Sequence, residues 1–232
     1  MATLQDRDYF YDNAKRQDQV LYGAIDWDVN ADTTLGFGLA YEDVDASPCY
    51  HGLPRYANGS DLKLSRSTCL GASWNDLQSQ RVTAFADLKH RFNDDWSFST
   101  RGRYDDIRTV YRSVYNNGYY DSDDGISGQM LSRSAYGTQG HTYNLAFDSQ
   151  FKGKVRTGPL RHTLMFGFDY MQQKANDTEA SGDAPDLDVL HPDYHMIIPD
   201  LTPYLHYVTK SHQAGAYGQD EIRWKRLILT GS

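Results

Sequence analysis

Tyrosine, tryptophan and arginine are the residues of this chain best placed to do chemistry. Trp74, Tyr115, Tyr119, Tyr120 and Tyr136 stand in or beside long polar connections, and Arg101 and Arg103 lie on the polar side of a strand below them. Amphipathic rings give flat contact area and hydrogen bonds at little entropic cost, which suits a bulky, polar ligand. A purely structural role is the alternative for each. Loop aromatics also pack loops together, and the two arginines have Asp105 and its neighbours as ion-pair partners.

Other chemistry has less support. No Gly-x-Ser-x-Gly or phosphate loop occurs, so the chain is read as non-enzymatic. His191, Asp193, His195, His206 and His212 are of metal-binding type, yet their spacing has no zinc-site regularity. The run "DSDDG" at Asp121 to Gly125 opens like a calcium loop, but Ser132 stands where the twelfth-position Glu belongs. The expectation is therefore no resident metal and no cofactor.

The totals narrow the class. With 232 residues, 39% of them hydrophobic, and a mean hydropathy of -0.69, no run reaches the ~18 apolar residues of a spanning helix. Strands with one apolar face escape that test. A net charge of -8 argues against nucleic acid, whose phosphates call for clustered cations. Cys49 and Cys69 are the only cysteines and flank a turn-rich stretch; a disulfide between them implies an oxidising compartment. The opening "MATLQDRDYF" has neither a basic start nor an apolar core, so export would need a signal upstream.

Alternation at every second residue supplies the elements. Leu21, Gly23, Ile25, Trp27 and Val29 face one way, and Tyr22, Ala24, Asp26 and Asp28 the other. After a turn at Asn30–Asp32 the pattern returns with Leu35, Phe37, Leu39 and Tyr41. It recurs around tight turns near Asn93–Asp95, Gly158–Pro159 and Lys225–Arg226. Long connections separate these hairpins, at about residues 45–80, 115–141 and 175–211. We read about eight strands of roughly 10 residues, enough when tilted to span the ~25 Å apolar band of a membrane barrel.

Aromatic placement sharpens this. Trp27, Phe92, Trp96 and Trp224 adjoin the short turns, whereas Tyr41, Tyr104 and Tyr170 sit at the opposite strand ends, all on the apolar face. Two rings of amphipathic aromatics mark two membrane interfaces. The expected fold is all-β, an antiparallel up-and-down transmembrane β-barrel segment with long extracellular loops, occupying 1–232 as one partial barrel domain. The competing reading is a soluble or surface β-rich module that binds carbohydrate through its exposed tyrosines, and it requires hydrophilic residues on both strand faces or a second sheet over the apolar one.

Three stretches resemble a known family. "GLPRYANGSDLKLSRSTCLGASWN" (Gly52 to Asn75), "DNAKRQDQVLYGAIDWDVNADTTLGFGLAYED" (Asp12 to Asp43) and "GAYGQDEIRW" (Gly215 to Trp224) resemble TonB-dependent ferric-siderophore receptors of the hydroxamate and pyoverdine type. The resemblance implies a 22-stranded outer-membrane barrel with a plugged lumen, of which this chain holds about eight strands and no plug. It also implies a ferric siderophore as transported ligand, outer-membrane lipid as surroundings, and TonB as partner through the plug. On that reading Trp74, Tyr115, Tyr119, Tyr120 and Tyr136, with Arg101 and Arg103, are the ligand-binding candidates.

Overall fold

A single antiparallel sheet accounts for every strand. The computed structural model describes residues 1–49, 52–117 and 131–232. Among them run β1 (Ala2–Asp8), β2 (Lys15–Asn30), β3 (Thr33–Ala46), β4 (Asp76–Arg91), β5 (Trp96–Asn116), β6 (Leu131–Thr157), β7 (Leu160–Leu187), β8 (Thr202–Trp224) and β9 (Leu227–Gly231). Each pairs with its sequence neighbours in the order β1 to β9, so the sheet is an up-and-down meander with no crossover.

Short-range chemistry makes the four tight turns. Asn30 turns the chain by accepting the backbone N–H of Asp32 on its side-chain oxygen at 2.9 Å. Asn93 accepts those of both Asp95 and Trp96, each at 2.9 Å. Such Asx turns supply locally the hydrogen bonds that the ladder cannot. Gly158 takes φ 60° before Pro159, and Lys225 takes φ 52° in the last turn. Asp32 also pairs with Arg91 at 2.8 Å, tying the first turn to the start of the second.

Register then decides what each face carries. Directly opposed residues share a face, and the ladder runs Trp27↔Leu35↔Leu88 and Leu21↔Tyr41↔Val82 across β2 to β4. It continues through Tyr104↔Leu145 and Phe147↔Tyr170↔Ala214 in β5 to β8. Trp224 opposes Leu227, and Ile222 links Leu229 to His162, so Trp224 stands on the apolar face as well. On this face Trp96 lies 5.2 Å from Phe151, and Phe147 lies between Phe168 and Tyr170 at 5.8 and 5.6 Å.

No second layer covers these side chains among the described residues. Ile25 is 65% exposed, Trp27 58% and Leu39 56%. That removes what the soluble-module reading requires. A bare apolar face of this extent is the surface pattern of a transmembrane β-barrel's outer side.

The expected strand lengths need correction. The described residues hold nine strands where about eight were expected, and four of them are far longer than the expected 10 residues: β5 has 21, β6 27, β7 28 and β8 23. Much of the connections expected over 115–141 and 175–211 is therefore strand. The reason is that ladder hydrogen bonds do not need an apolar face. Just beyond the tyrosine belt the face that was apolar carries mostly polar residues, so alternation of hydropathy fades while pairs such as Tyr115↔Ser134 and Asp177↔Tyr207 continue.

The buried core forms where the connections pack against the far ends of β5, β6 and β7. Leu62, Leu70, Leu131, Leu187 and Val189 form one buried cluster, and Ala72, Val114, Ala135 and Ala184 another, with Trp74, Met196 and Leu201 against it. Gly182 permits this close approach: a Cβ there would lie 2.5 Å from the carbonyl oxygen of Asp200. Cys49 and Cys69 are joined by a disulfide across 20 residues, their Cα atoms 5.9 Å apart. Closing a loop of that size contributes roughly 3 kcal/mol in the chain-entropy model.

Replacing both cysteines by serine is therefore expected to loosen this connection without opening the sheet. Limited proteolysis reads it: cleavage should appear within 50–69 while the strands stay protected. Unchanged protection of that connection would contradict the assignment.

Candidate functional site

Above the tyrosine belt, β5 to β8 bring five tyrosines and one glutamate onto one face. Parity assigns them. Thr138 opposes both Tyr111 and Glu179, Tyr136 opposes Ser113 and Ser181, and Asp177 opposes Tyr207. All continue the polar face of the sheet. Tyr204 joins them through a register shift between β7 and β8 at Glu179/Ala180; such a bulge re-aims a side chain.

Glu179 is the centre. The Tyr204 hydroxyl donates to one of its carboxylate oxygens at 2.6 Å, and the Tyr207 hydroxyl to the other at 3.3 Å. The Tyr136 ring lies 6.3 Å from that of Tyr111 and 6.4 Å from that of Tyr115. Tyr204 and Tyr207 remain 57% and 38% exposed, so the cluster offers ring faces to an incoming molecule.

Electrostatics follow from this. Burial, and then the nearby Glu179 carboxylate, push the Tyr136 phenol from 10.0 up to about 12. The hydrogen bond to Glu179 raises Tyr204, while desolvation followed by Asp177 raises Tyr207. These phenols stay protonated donors across all ordinary pH values.

Arg101 and Arg103 lie lower on the same face. Arg101 is 3.6 Å from Asp87, and Arg103 binds Asp105 at 2.8 Å. Asp105 also accepts the Thr83 hydroxyl at 2.6 Å. Both arginines thus meet the carboxylate partners that a structural role supplies, although their side chains stay more than half exposed.

The sequence-based candidates separate in space. Tyr115 and Tyr136 belong to the cluster. Trp74 packs in the connection core on the opposite face, beside Val114 and Ala135. Tyr119 and Tyr120, like the acidic run at Asp121 to Gly125, fall outside the described residues. Tyr111, Glu179, Tyr204 and Tyr207 were missed by sequence reasoning. The signal that finds them is a shared parity across four paired strands, which requires the register. Of the histidines, His191 and His195 lie between β7 and β8, whereas His206 and His212 stand on β8 itself.

Known proteins place this architecture. A family model described as TonB dependent receptor-like, beta-barrel, matches residues 26–232. The chain belongs to the TonB-dependent receptor β-barrel family. It is 42% identical over 206 residues to the ferric-pyoverdine receptor PbuA of a Pseudomonas species, a match covering 88% of this chain and 25% of that protein. It is 27% identical over 223 residues to the ferrioxamine B receptor of Salmonella typhimurium, covering 93% and 30%. Among solved structures, the ferripyoverdine receptor of the outer membrane of Pseudomonas aeruginosa, bound to ferripyoverdine, superposes with a TM-score of 0.83. That match has 23% identity and covers 95% of this chain and 30% of that one. This chain thus spans between a quarter and a third of the length of these relatives. Within the family's closed barrel, the polar face of such a sheet is the lumen wall.

Linkage fixes a pH test of the cluster. Tyr136 has a folded-state value above its unfolded one, so its contribution to stability is complete below pH 10 and is lost as pH rises through about 12. Glu179→Gln is expected to move part of the tyrosinate absorbance to lower pH in an alkaline titration, because the carboxylate that disfavours phenolate is gone. An unchanged titration curve would count against the arrangement.

Proposed function

We propose that this chain is the wall segment of an outer-membrane receptor that binds a ferric siderophore and, within the complete receptor, imports it with energy transmitted by TonB. The observation that carries the reading is the tyrosine cluster around Glu179. It opens onto the lumen side of the strands, beyond the belt that ends the apolar band. A ferric siderophore arrives with its iron already coordinated, so its receptor needs broad polar-aromatic contact rather than metal ligands.

Neighbouring parts fit the same role. Lipid hydrocarbon covers the apolar face, with Trp27, Trp96 and Trp224 at one interface and Tyr41, Tyr104 and Tyr170 at the other. Arg101, Arg103, Asp87 and Asp105 line the wall nearer the plug that the family carries, and TonB acts through that plug. Tyr111, Tyr115, Tyr136, Tyr204 and Tyr207 are the ligand-contacting residues on this reading. The soluble carbohydrate-binding alternative finds no second layer over the apolar face among the described residues.

Binding and uptake test this together. In a complete receptor containing this chain, Tyr136→Ala combined with Tyr204→Ala is expected to weaken ferric-siderophore binding about tenfold or more, as loss of central aromatic contacts does. Iron uptake should fall in parallel while the amount of assembled barrel, read by heat-modifiable migration, stays the same. Full affinity and uptake in the double variant would refute the assignment of the site.

A further inference from the structure

Charge is sorted by face above the tyrosine belt. On the polar face of β5 to β8, at residues 107–115, 134–142, 173–183 and 204–213, not one Lys, Arg or His occurs, while Asp177, Glu179 and Asp183 do. The same strand stretches carry Arg108, Lys174, His206 and Lys210 on their other face. The causes that shift Tyr136, Tyr204 and Tyr207 include only carboxylates and other tyrosines beside desolvation, with no compensating cation. Among the described residues, Glu179 is thus a carboxylate hydrogen-bonded by phenol donors alone and set among tyrosines.

We propose that the chelate taken by this wall carries a positively charged nitrogen, an ammonium or guanidinium, held against Glu179 inside the tyrosine cluster. The inference rests on the siderophore reading and adds the charge of the ligand. Tyrosine faces attract a cation through the ring quadrupole, and a carboxylate hydrogen-bonded only by neutral phenols keeps its full charge for a cationic partner. The same set repels an anionic chelate, since carboxylates and ring faces are both negative and no guanidinium on these stretches offsets them. Selection therefore works by attraction of one charge and rejection of the other.

The test compares matched ligands on a complete receptor containing this chain. Two ferric chelates, a linear trihydroxamate and a hydroxamate peptide, are each offered with a free primary amine and after N-acetylation, and binding is read by quenching of tryptophan fluorescence. At least one amine form is expected to bind about tenfold or more tightly than its acetylated twin. Glu179→Gln should abolish that difference by weakening the amine form alone, and Glu179→Asp should retain it, which separates charge from folding. Equal affinity for amine and acetylated forms, or a preference that survives Glu179→Gln, would overturn the inference and leave the receptor reading intact. Binding of none of the four chelates would overturn both.

Discussion

Backbone pairing between neighbouring strands is the constraint on which everything else rests. Hydrocarbon offers no partner for an N–H or C=O, so a chain that crosses it as strands must satisfy each group on the strand beside it. The eight ladders do so between neighbouring strands, and the outer edges of β1 and β9, with the stretches of β2 and β8 that these short strands do not reach, are left open. Once pairing is fixed, side chains are free to differ by face, because period-two geometry sends alternate residues to opposite sides. A slip of one residue would exchange the lipid-facing and lumen-facing sets entirely. Cross-strand fits hold that register: the Phe85 ring lies over Gly38, Trp96 over Gly153 and Tyr217 over Gly167, each a large side chain occupying the space a glycine leaves.

The same ladder carries two different chemistries along its length. Between the belts, one face is apolar and the other is a lattice of ion pairs such as Arg103–Asp105 and Arg101–Asp87. Beyond the tyrosine belt the connections between β3 and β4 and between β7 and β8 pack onto the face continuous with the apolar one, through Val114, Ala135 and Ala184. Among the described residues, that packing leaves the tyrosine face uncovered. Rigid paired strands, rather than loops, thus position Tyr111, Tyr136 and Glu179, and a strand-borne contact holds its geometry better than a loop-borne one.

What the sequence revealed follows the physics of each region. Turns at Asn30–Asp32 and Asn93–Asp95 were legible because the Asx geometry is local. Belt residues such as Trp96 and Tyr104 were legible because the barrel fold alternates strictly between its two faces and sets aromatics at both ends of the apolar band. Strand ends were not, since β6 and β7 run on through polar residues with no hydropathic signature. The tyrosine cluster was half-visible for the same reason. Tyr115 and Tyr136 attract notice as aromatics in polar surroundings, but grouping them with Glu179 and Tyr207 depends on a chain of long-range pairings such as Tyr115↔Ser134, Thr138↔Glu179 and Asp177↔Tyr207. Trp74 has the same composition cues and lies on the other face.

Lipid contact on the apolar face is the claim to test directly. Four variants, each retaining one of Trp27, Trp74, Trp96 and Trp224 with the others changed to phenylalanine, can be placed in bilayers whose lipids carry a quencher near the headgroup. Strong quenching of Trp27, Trp96 and Trp224 with little effect on Trp74 is the expected result. Equal quenching of all four, or none at the three belt positions, would contradict a hydrocarbon-covered sheet.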